Sequence, residues 1–293
     1  MLLRAAGGKP ERMNYRHAFH AGNFADVHKH WILMLLLERL SAKDKPFFVL
    51  DSHAGAGFYD LTRDESSRTG EAADGIARLF SAESNLPDSF TPYLDAVRRL
   101  NPGMDGPDGL RWYPGSPWLI AASLRPDDRL SAVEAHPEQA RLLQESLAEF
   151  RNARVYERDG YEAIPSMLPP KEKRGLTMID PPYEKPDEVP RIVKAVSDGL
   201  KRFATGTMAI WYPIKTHAVG DALVEGLPVP DRGGLRCEIF VTAPDSDAAG
   251  LTGSGMILLN PIWPIEDRLR EGLPILSETL ARDGGAGWRL EAL

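Results

Sequence analysis

Seven short apolar segments, residues 47–51, 130–134, 154–158, 175–180, 207–212, 236–242 and 255–260, alternate with stretches of helical spacing. That alternation constrains the fold most, because a strand followed by a helix rejoins its sheet by a crossover to a parallel neighbour. It predicts an α/β architecture on a mostly parallel, seven-stranded sheet. The helical stretches are 116–124, 137–150, 187–203 and 266–282. In the second, Leu142, Leu143, Leu147 and Phe150 fall on one stripe. Ser116-Pro117 reads as a helix opening, the serine as cap and the proline in the first turn. Only a short loop joins the last two strands, which are expected to form an antiparallel hairpin at one edge of the sheet.

One spacing is irregular. In nucleotide-binding α/β folds an acidic residue ends the second strand about 20 residues beyond the glycine loop. Here the loop ends at Gly57 and the next acidic strand end is Glu134. The excess holds two helix-like stretches, 70–82 and 89–100, and a Pro/Gly-rich run, 101–109. It reads as a helical insert over about residues 60–110 of a single domain, with 116–124 as the crossover back to the sheet. Residues 1–12 read as a flexible extension and 13–24 as an N-terminal arm.

Composition narrows the setting. The chain is 43% apolar and 26% charged, ordinary for a soluble globular protein. Its longest apolar run, 31–37, is far too short to span a bilayer, and residues 1–12 do not read as a secretory signal. A single cysteine, Cys237, excludes an internal disulfide and points to a reducing cytoplasm. The net charge of −7 does not favour a polyanionic partner, but residues 1–31 hold five Lys/Arg against two Asp/Glu. That modest patch permits RNA or DNA. Nothing in the sequence calls for a membrane or an obligate protein partner, and a monomer is expected.

The chemistry is concentrated at strand ends. Asp180-Pro181-Pro182-Tyr183 follows the apolar run 175–179. Two prolines fix φ and remove two backbone N–H donors, so this loop offers acceptors only. A carboxylate beside the Pro181 carbonyl suits a group with two N–H bonds to give, such as the exocyclic amine of a base, and Tyr183 supplies a flat face for stacking. The arrangement resembles the signature of S-adenosylmethionine-dependent amino methyltransferases of nucleic-acid bases. Asp51-Ser52-His53-Ala54-Gly55-Ala56-Gly57 is a strand end followed by a Gly-x-Gly turn, where the backbone can approach a ligand closely. Without a third glycine it does not suit a pyrophosphate, which disfavours a nicotinamide dehydrogenase. Glu134 is placed to accept ribose hydroxyls, and Asp159-Gly160 to receive an adenine amine. His17, His20, His28 and His30 invite a metal reading, but no thiol partner or His-Glu-x-x-His pattern accompanies them, and no metal is expected. Asn23 reads as the cap, and Asp26 as the first-turn acid, of a helix running to Leu40.

Taken in order, Tyr15-Arg16-His17 through Lys29-His30, the Asp51–Gly57 loop, Tyr113-Pro114-Gly115-Ser116-Pro117, Asp180-Pro181-Pro182-Tyr183-Glu184, Trp211-Tyr212-Pro213 and Ser254-Gly255-Met256-Ile257 closely resemble the bacterial 23S ribosomal RNA adenine-N6 methyltransferases of the J type. The resemblance runs from about Asn14 into the C-terminal region. It implies a Rossmann-like class I methyltransferase fold, S-adenosylmethionine as donor and one adenine of 23S rRNA as acceptor, with the N-terminal arm folding over the donor. It further implies Asp180 as the catalytic residue, Tyr15 on the substrate, and His30, His53, Ser116, Glu134, Asp159 and Gly160 around the donor. To these the loop chemistry adds Pro181 and Tyr183 on the substrate and Gly55 and Gly57 beside the donor. Asp180→Asn is expected to keep partial activity, because its amide oxygen still accepts a hydrogen bond. His28 stands where an apolar residue is expected, and Ile262 where a proline is. A DNA adenine-N6 methyltransferase using the same loop, or a non-catalytic RNA-binding protein on the same scaffold, are the rival readings.

Overall fold

A computed structural model of the chain describes residues 20–62, 70–104, 106–245 and 250–293. The chain opens on α1 (Phe24–Ser41), then β1 (Phe48–Asp51) and the short β2 (Phe58–Asp60). Helices α2 (Glu71–Asp74), α3 (Ile76–Ser81) and α4 (Thr91–Leu100) follow, before β3 (Trp112–Pro114). The sheet then builds through α5 (Ser116–Ser123), β4 (Arg129–Glu134), α6 (Pro137–Ser146), β5 (Ala153–Glu157), α7 (Gly160–Met167) and β6 (Gly175–Ile179). It finishes with α8 (Glu188–Arg202), β7 (Thr207–Ile214), α9 (Ala218–Gly226), β8 (Gly234–Phe240), β9 (Gly253–Leu259), α10 (Ile265–Thr279) and β10 (Gly287–Ala292).

The main sheet has the order β10-β8-β9-β7-β6-β1-β4-β5. Strands β5, β4, β1, β6 and β7 pair in parallel, whereas β9 runs antiparallel to both β7 and β8. The sheet therefore has eight strands rather than seven. The expected hairpin exists but does not form the edge, because β10 pairs antiparallel with β8 outside it. Residues 287–292 mix Gly, Arg and Glu with Trp and Leu, so their apolar pattern gave no strand signal. Leu293 extends the pairing, its N–H donating to Gly234 O at 2.9 Å.

Both faces of the sheet are covered, and the strand side chains sort by parity, as a period of two requires. Along β7, Ala209 and Trp211 join one core, with α1, α5 and α10. Met208, Ile210, Tyr212 and Ile214 join the other, with α7 and α8. Helix α1 is buried almost all round, from Phe24 to Leu37, because it lies between the sheet and the insert. No helix among the described residues is long and apolar enough to cross a membrane.

The insert is closed at its base by β2 and β3, which pair antiparallel as a separate two-stranded sheet. Asn101, just past α4, fastens it: its amide donates to Val97 O and Trp112 O at 2.8 Å, and its Oδ1 accepts from the N–H groups of Arg111 and Trp112. Such saturation of one buried side chain fixes the return of the chain into β3.

A buried charge network secures the antiparallel half of the sheet. Glu238, fully buried on β8, accepts from Tyr212 Oη at 2.7 Å and Arg236 Nε at 2.9 Å, and pairs with Arg289 of β10 at 3.1 Å. Arg236 also donates to Asp221 at 2.7 Å. Removing one member strands the others without compensation. Glu238→Ala is expected to lower the unfolding free energy by about 3–5 kcal/mol, read by urea denaturation.

Candidate active site

The carboxyl ends of β1, β4, β5, β6 and β7 open onto a cleft of about 1580 Å³. His30, His53, Gly55, Ser116, Glu134, Asp159, Gly160, Asp180, Pro181 and Tyr183 all line it. Gly57 does not; it packs behind the wall with φ +94°, where a Cβ would lie 2.5 Å from that of Ser146. Tyr15 lies outside the described residues.

At the end of β6, Asp180 is held by a residue to which sequence reading gave no role of its own. Lys29 Nζ donates to Asp180 Oδ2 at 2.5 Å and pairs with Asp26 Oδ1 at 2.8 Å. The lysine side chain is 4% exposed and Asp26 3%, against 13% for Asp180. Burial opposes the ammonium, but the charges of Asp180 and Asp26 override it and raise the lysine's pKa, so it stays protonated. With Oδ2 committed to Lys29, Oδ1 is the aspartate oxygen left to face the cleft. The Asp26/Lys29 spacing of i,i+3, on a helix that runs on into the apolar stretch 31–37, was the signal available in the sequence.

Tyr183 adopts φ +53°, a left-handed conformation that costs a non-glycine residue about 1 kcal/mol or more. Its hydroxyl donates to Trp211 O at 2.7 Å, and its ring meets the Trp211 ring edge-on at 5.9 Å. The ring is thus pinned at the mouth of the Pro-Pro corner. Trp211 in turn donates through Nε1 to Ser254 Oγ at 3.0 Å, and Ser254 lies 3.0 Å from His28 Nδ1. Tryptophan is a donor only, so the serine hydroxyl is free to donate to the imidazole. Burial pushes His28 down to about 3, and the ring is neutral. His28 therefore serves as a polar filler behind Trp211, where the resemblance called for an apolar one.

The other end of the cleft is built by the β1 and β4 termini. Glu134 Oε2 accepts from Gly55 N at 2.9 Å, and Oε1 from His136 N at 2.8 Å, which fixes the carboxylate plane. Ser52 Oγ donates to Met178 O at 2.9 Å, and therefore accepts from His53 Nδ1 at 2.8 Å. Burial, chiefly, pushes His53 down to about 4, so its Nε2 presents a lone pair. His30 is held by Tyr113 Oη at 2.8 Å, which also bonds Tyr93 Oη of the insert.

Two expectations change here. Ser116 is the first residue of α5, not its cap, and its hydroxyl donates to the buried Asp51 Oδ2 at 2.7 Å. Burial pushes Asp51 up to about 7, with the Asp180 charge adding to the rise and the Ser116 bond opposing it. Asp159 is not an open acceptor. Its Oδ1 caps α7 by accepting from the N–H groups of Tyr161 and Glu162, and its Oδ2 accepts from Arg191 Nη2 at 2.7 Å. Arg191 also lies over the Tyr161 ring at 4.1 Å. Any adenine amine at Asp159 must share oxygens already in use.

Comparisons with known proteins decide the family. The profile of the family described as ribosomal RNA large subunit methyltransferase D, RlmJ, matches residues 44–292. Ribosomal RNA large subunit methyltransferase J of Haemophilus influenzae is 44% identical over 280 residues, covering 95% of this chain and 98% of that protein. The chain belongs to the RlmJ family. The RlmJ relative from Escherichia coli is 41% identical over 273 residues, covering 93% of this chain and 95% of its own length. A crystal structure of a Legionella pneumophila protein superposes with a TM-score of 0.85 at 32% identity, covering 93% of this chain and 98% of that one.

The fold is the class I methyltransferase α/β architecture, and the lining fits the donor such a family uses. S-adenosylmethionine carries a sulfonium and an ammonium but no phosphate. Of the carboxylates on the cleft walls, Asp26 and Asp180 share Lys29 and Asp159 pairs with Arg191, whereas Glu134 meets only backbone N–H groups. The residual charge of the lining is therefore negative and suits a cation better than a pyrophosphate. The cradle is also cut to backbone. A Cβ on Gly160 would lie 2.0 Å from Ser52 O and 3.0 Å from the His53 ring. Among the described residues no group of three or more His, Cys, Asp or Glu is placed to hold a metal ion.

Proposed function

We propose that this RlmJ-family chain transfers a methyl group from S-adenosylmethionine to the N6 amine of an adenine in 23S ribosomal RNA. The observation that carries the reading is the Asp180 corner: a carboxylate with one oxygen clamped by Lys29 and the other facing the cleft that Glu134 and the Gly55 turn share. Asp180 Oδ1 and the Pro181 carbonyl accept the two N–H bonds of the amine. An amine so held is drawn out of conjugation with its ring, and its lone pair becomes available. Charge-assisted bonds to the carboxylate strengthen as positive charge grows on nitrogen. When bound, S-adenosylmethionine supplies the electrophilic methyl group. Nitrogen then sheds its surplus proton, for which Asp180 is the nearest base.

In this reading Tyr183 offers the target base a face, and Glu134, His53 and Asp159 take the donor's ribose and adenine. Tyr15 is assigned to the substrate from the family motif. On the same reading the protein acts as a monomer on rRNA in the cytoplasm. The test is transfer of labelled methyl from S-adenosylmethionine to unmodified 23S rRNA, with the product nucleoside identified by mass spectrometry. N6-methyladenosine is expected; label only in duplex DNA, or in no nucleic acid, would refute the reading.

A further inference from the structure

Beyond the base-holding corner, the cleft continues past Trp211 and Pro213 to Lys215, Thr216, Leu251 and Arg282. This lobe is the rim where the antiparallel strands end. Thr252 N donates to Ile214 O at 2.8 Å and Thr252 Oγ1 to Lys215 O at 3.2 Å. Val241 N donates to Thr252 O at 2.9 Å, and Arg282 N to Val241 O at 2.7 Å. Four backbone segments thus lie side by side, with Lys215 on the first and Arg282 on the last. Three strand spacings separate them, about 14 Å at about 4.8 Å each.

Both side chains are exposed, and neither has an ion-pair partner among the described residues. Of the carboxylates near them, Glu71 feels the charge of Arg282, and Asp245 lies beside Lys215, its N–H donating to Lys215 O at 3.0 Å. Glu71 binds His20 and Asn23, and Asp283 accepts from Thr242 and Gly285 N. Arg282 lies over the Phe24 ring at 5.1 Å, which steadies the guanidinium at the rim. In a chain of net charge −7, two such cations on the wall of a substrate cleft are not explained by solubility.

We propose that Lys215 and Arg282 form a backbone-binding rail for the acceptor strand, each meeting a different phosphate of the strand whose target nucleotide is held at Asp180. The inference rests on the acceptor being RNA. The rail would give affinity without reading sequence, since phosphate contacts position a strand while base contacts specify it.

The test is filter binding of unmodified 23S rRNA transcript across a salt series, with wild type and the Lys215→Gln/Arg282→Gln double variant. Each phosphate contact on a single strand contributes about 0.7 to the log–log salt slope, so the double variant is expected to lose about 1.4 from it. With equal affinity at 1 M salt, that slope difference corresponds to a loss of affinity of roughly 25-fold at 0.1 M. Lys215→Arg/Arg282→Lys keeps both charges and is expected to keep the slope. Calorimetric affinity for S-adenosylmethionine should not move, which separates lost RNA contact from a disturbed fold. An unchanged slope in the glutamine variant overturns the rail while leaving the functional reading intact. If the wild type transfers no methyl to RNA, the functional reading falls and the rail with it.

Discussion

Asp180→Ala is expected to lower turnover by about 1000-fold while S-adenosylmethionine still binds, since in the proposed reading it removes the charged acceptor for the amine. Single-turnover methyl transfer, with donor affinity measured separately, checks this; near wild-type turnover would refute the role. The structure also changes what Asp180→Asn should do. From the loop alone, the amide oxygen was expected to keep part of the activity. But Lys29 is a donor 2.5 Å from Oδ2 and demands an acceptor there. The asparagine oxygen will therefore turn to Lys29, leaving its NH2 to face an incoming NH2. Two donors cannot bond, so Asn is expected to fall nearly as low as Ala. Substantial activity in Asn would mean that Lys29 does not dictate the orientation of residue 180.

The second large effect is at Lys29 itself. Lys29→Met leaves Asp26 and Asp180 as near neighbours, both largely buried, without the cation that joins them. The expected cost is about 3–5 kcal/mol, seen as a melting point lower by on the order of 10 °C. Turnover should fall as well, because Asp180 loses the contact that fixes its oxygens. Stability and catalysis can be told apart by adding Asp26→Asn. The double variant removes a charge from the repelling pair and is expected to recover part of the stability but not the rate. Recovery of both would show that Lys29 acts only as a structural counter-ion.

Much of this arrangement was legible before the fold was known, for a physical reason. In parallel α/β sheets the strand signal is a short apolar run, and its last residue is placed by topology at the ligand-binding edge. Asp180, Glu134 and the Asp51 turn could therefore be put together without coordinates. What was not legible depends on pairs distant in sequence. Nothing in residues 24–41 says that Lys29 reaches residue 180, and Arg191 pairs with Asp159 across 32 positions. Ser116 was misread for the opposite reason: its local pattern, serine before proline, satisfies a capping rule, yet a buried carboxylate 65 residues away claims the hydroxyl. Glycines divided likewise. Gly55 and Gly57 look equivalent in the motif, but one turns toward the cleft and the other makes room for Ser146.

The final strand carries a consequence for handling the protein. Pairing along β10, continued by Leu293, leaves β8 with no free amide row on its outer side. Trimming residues 287–293 would uncover a seven-residue strand, Gly234–Phe240, which carries the buried thiol of Cys237 and the Arg236–Glu238 charges. An open ladder of that length recruits other chains. Affinity tags and fluorescent fusions therefore need a spacer after Leu293 that lets the last strand seat before the added module pulls on it.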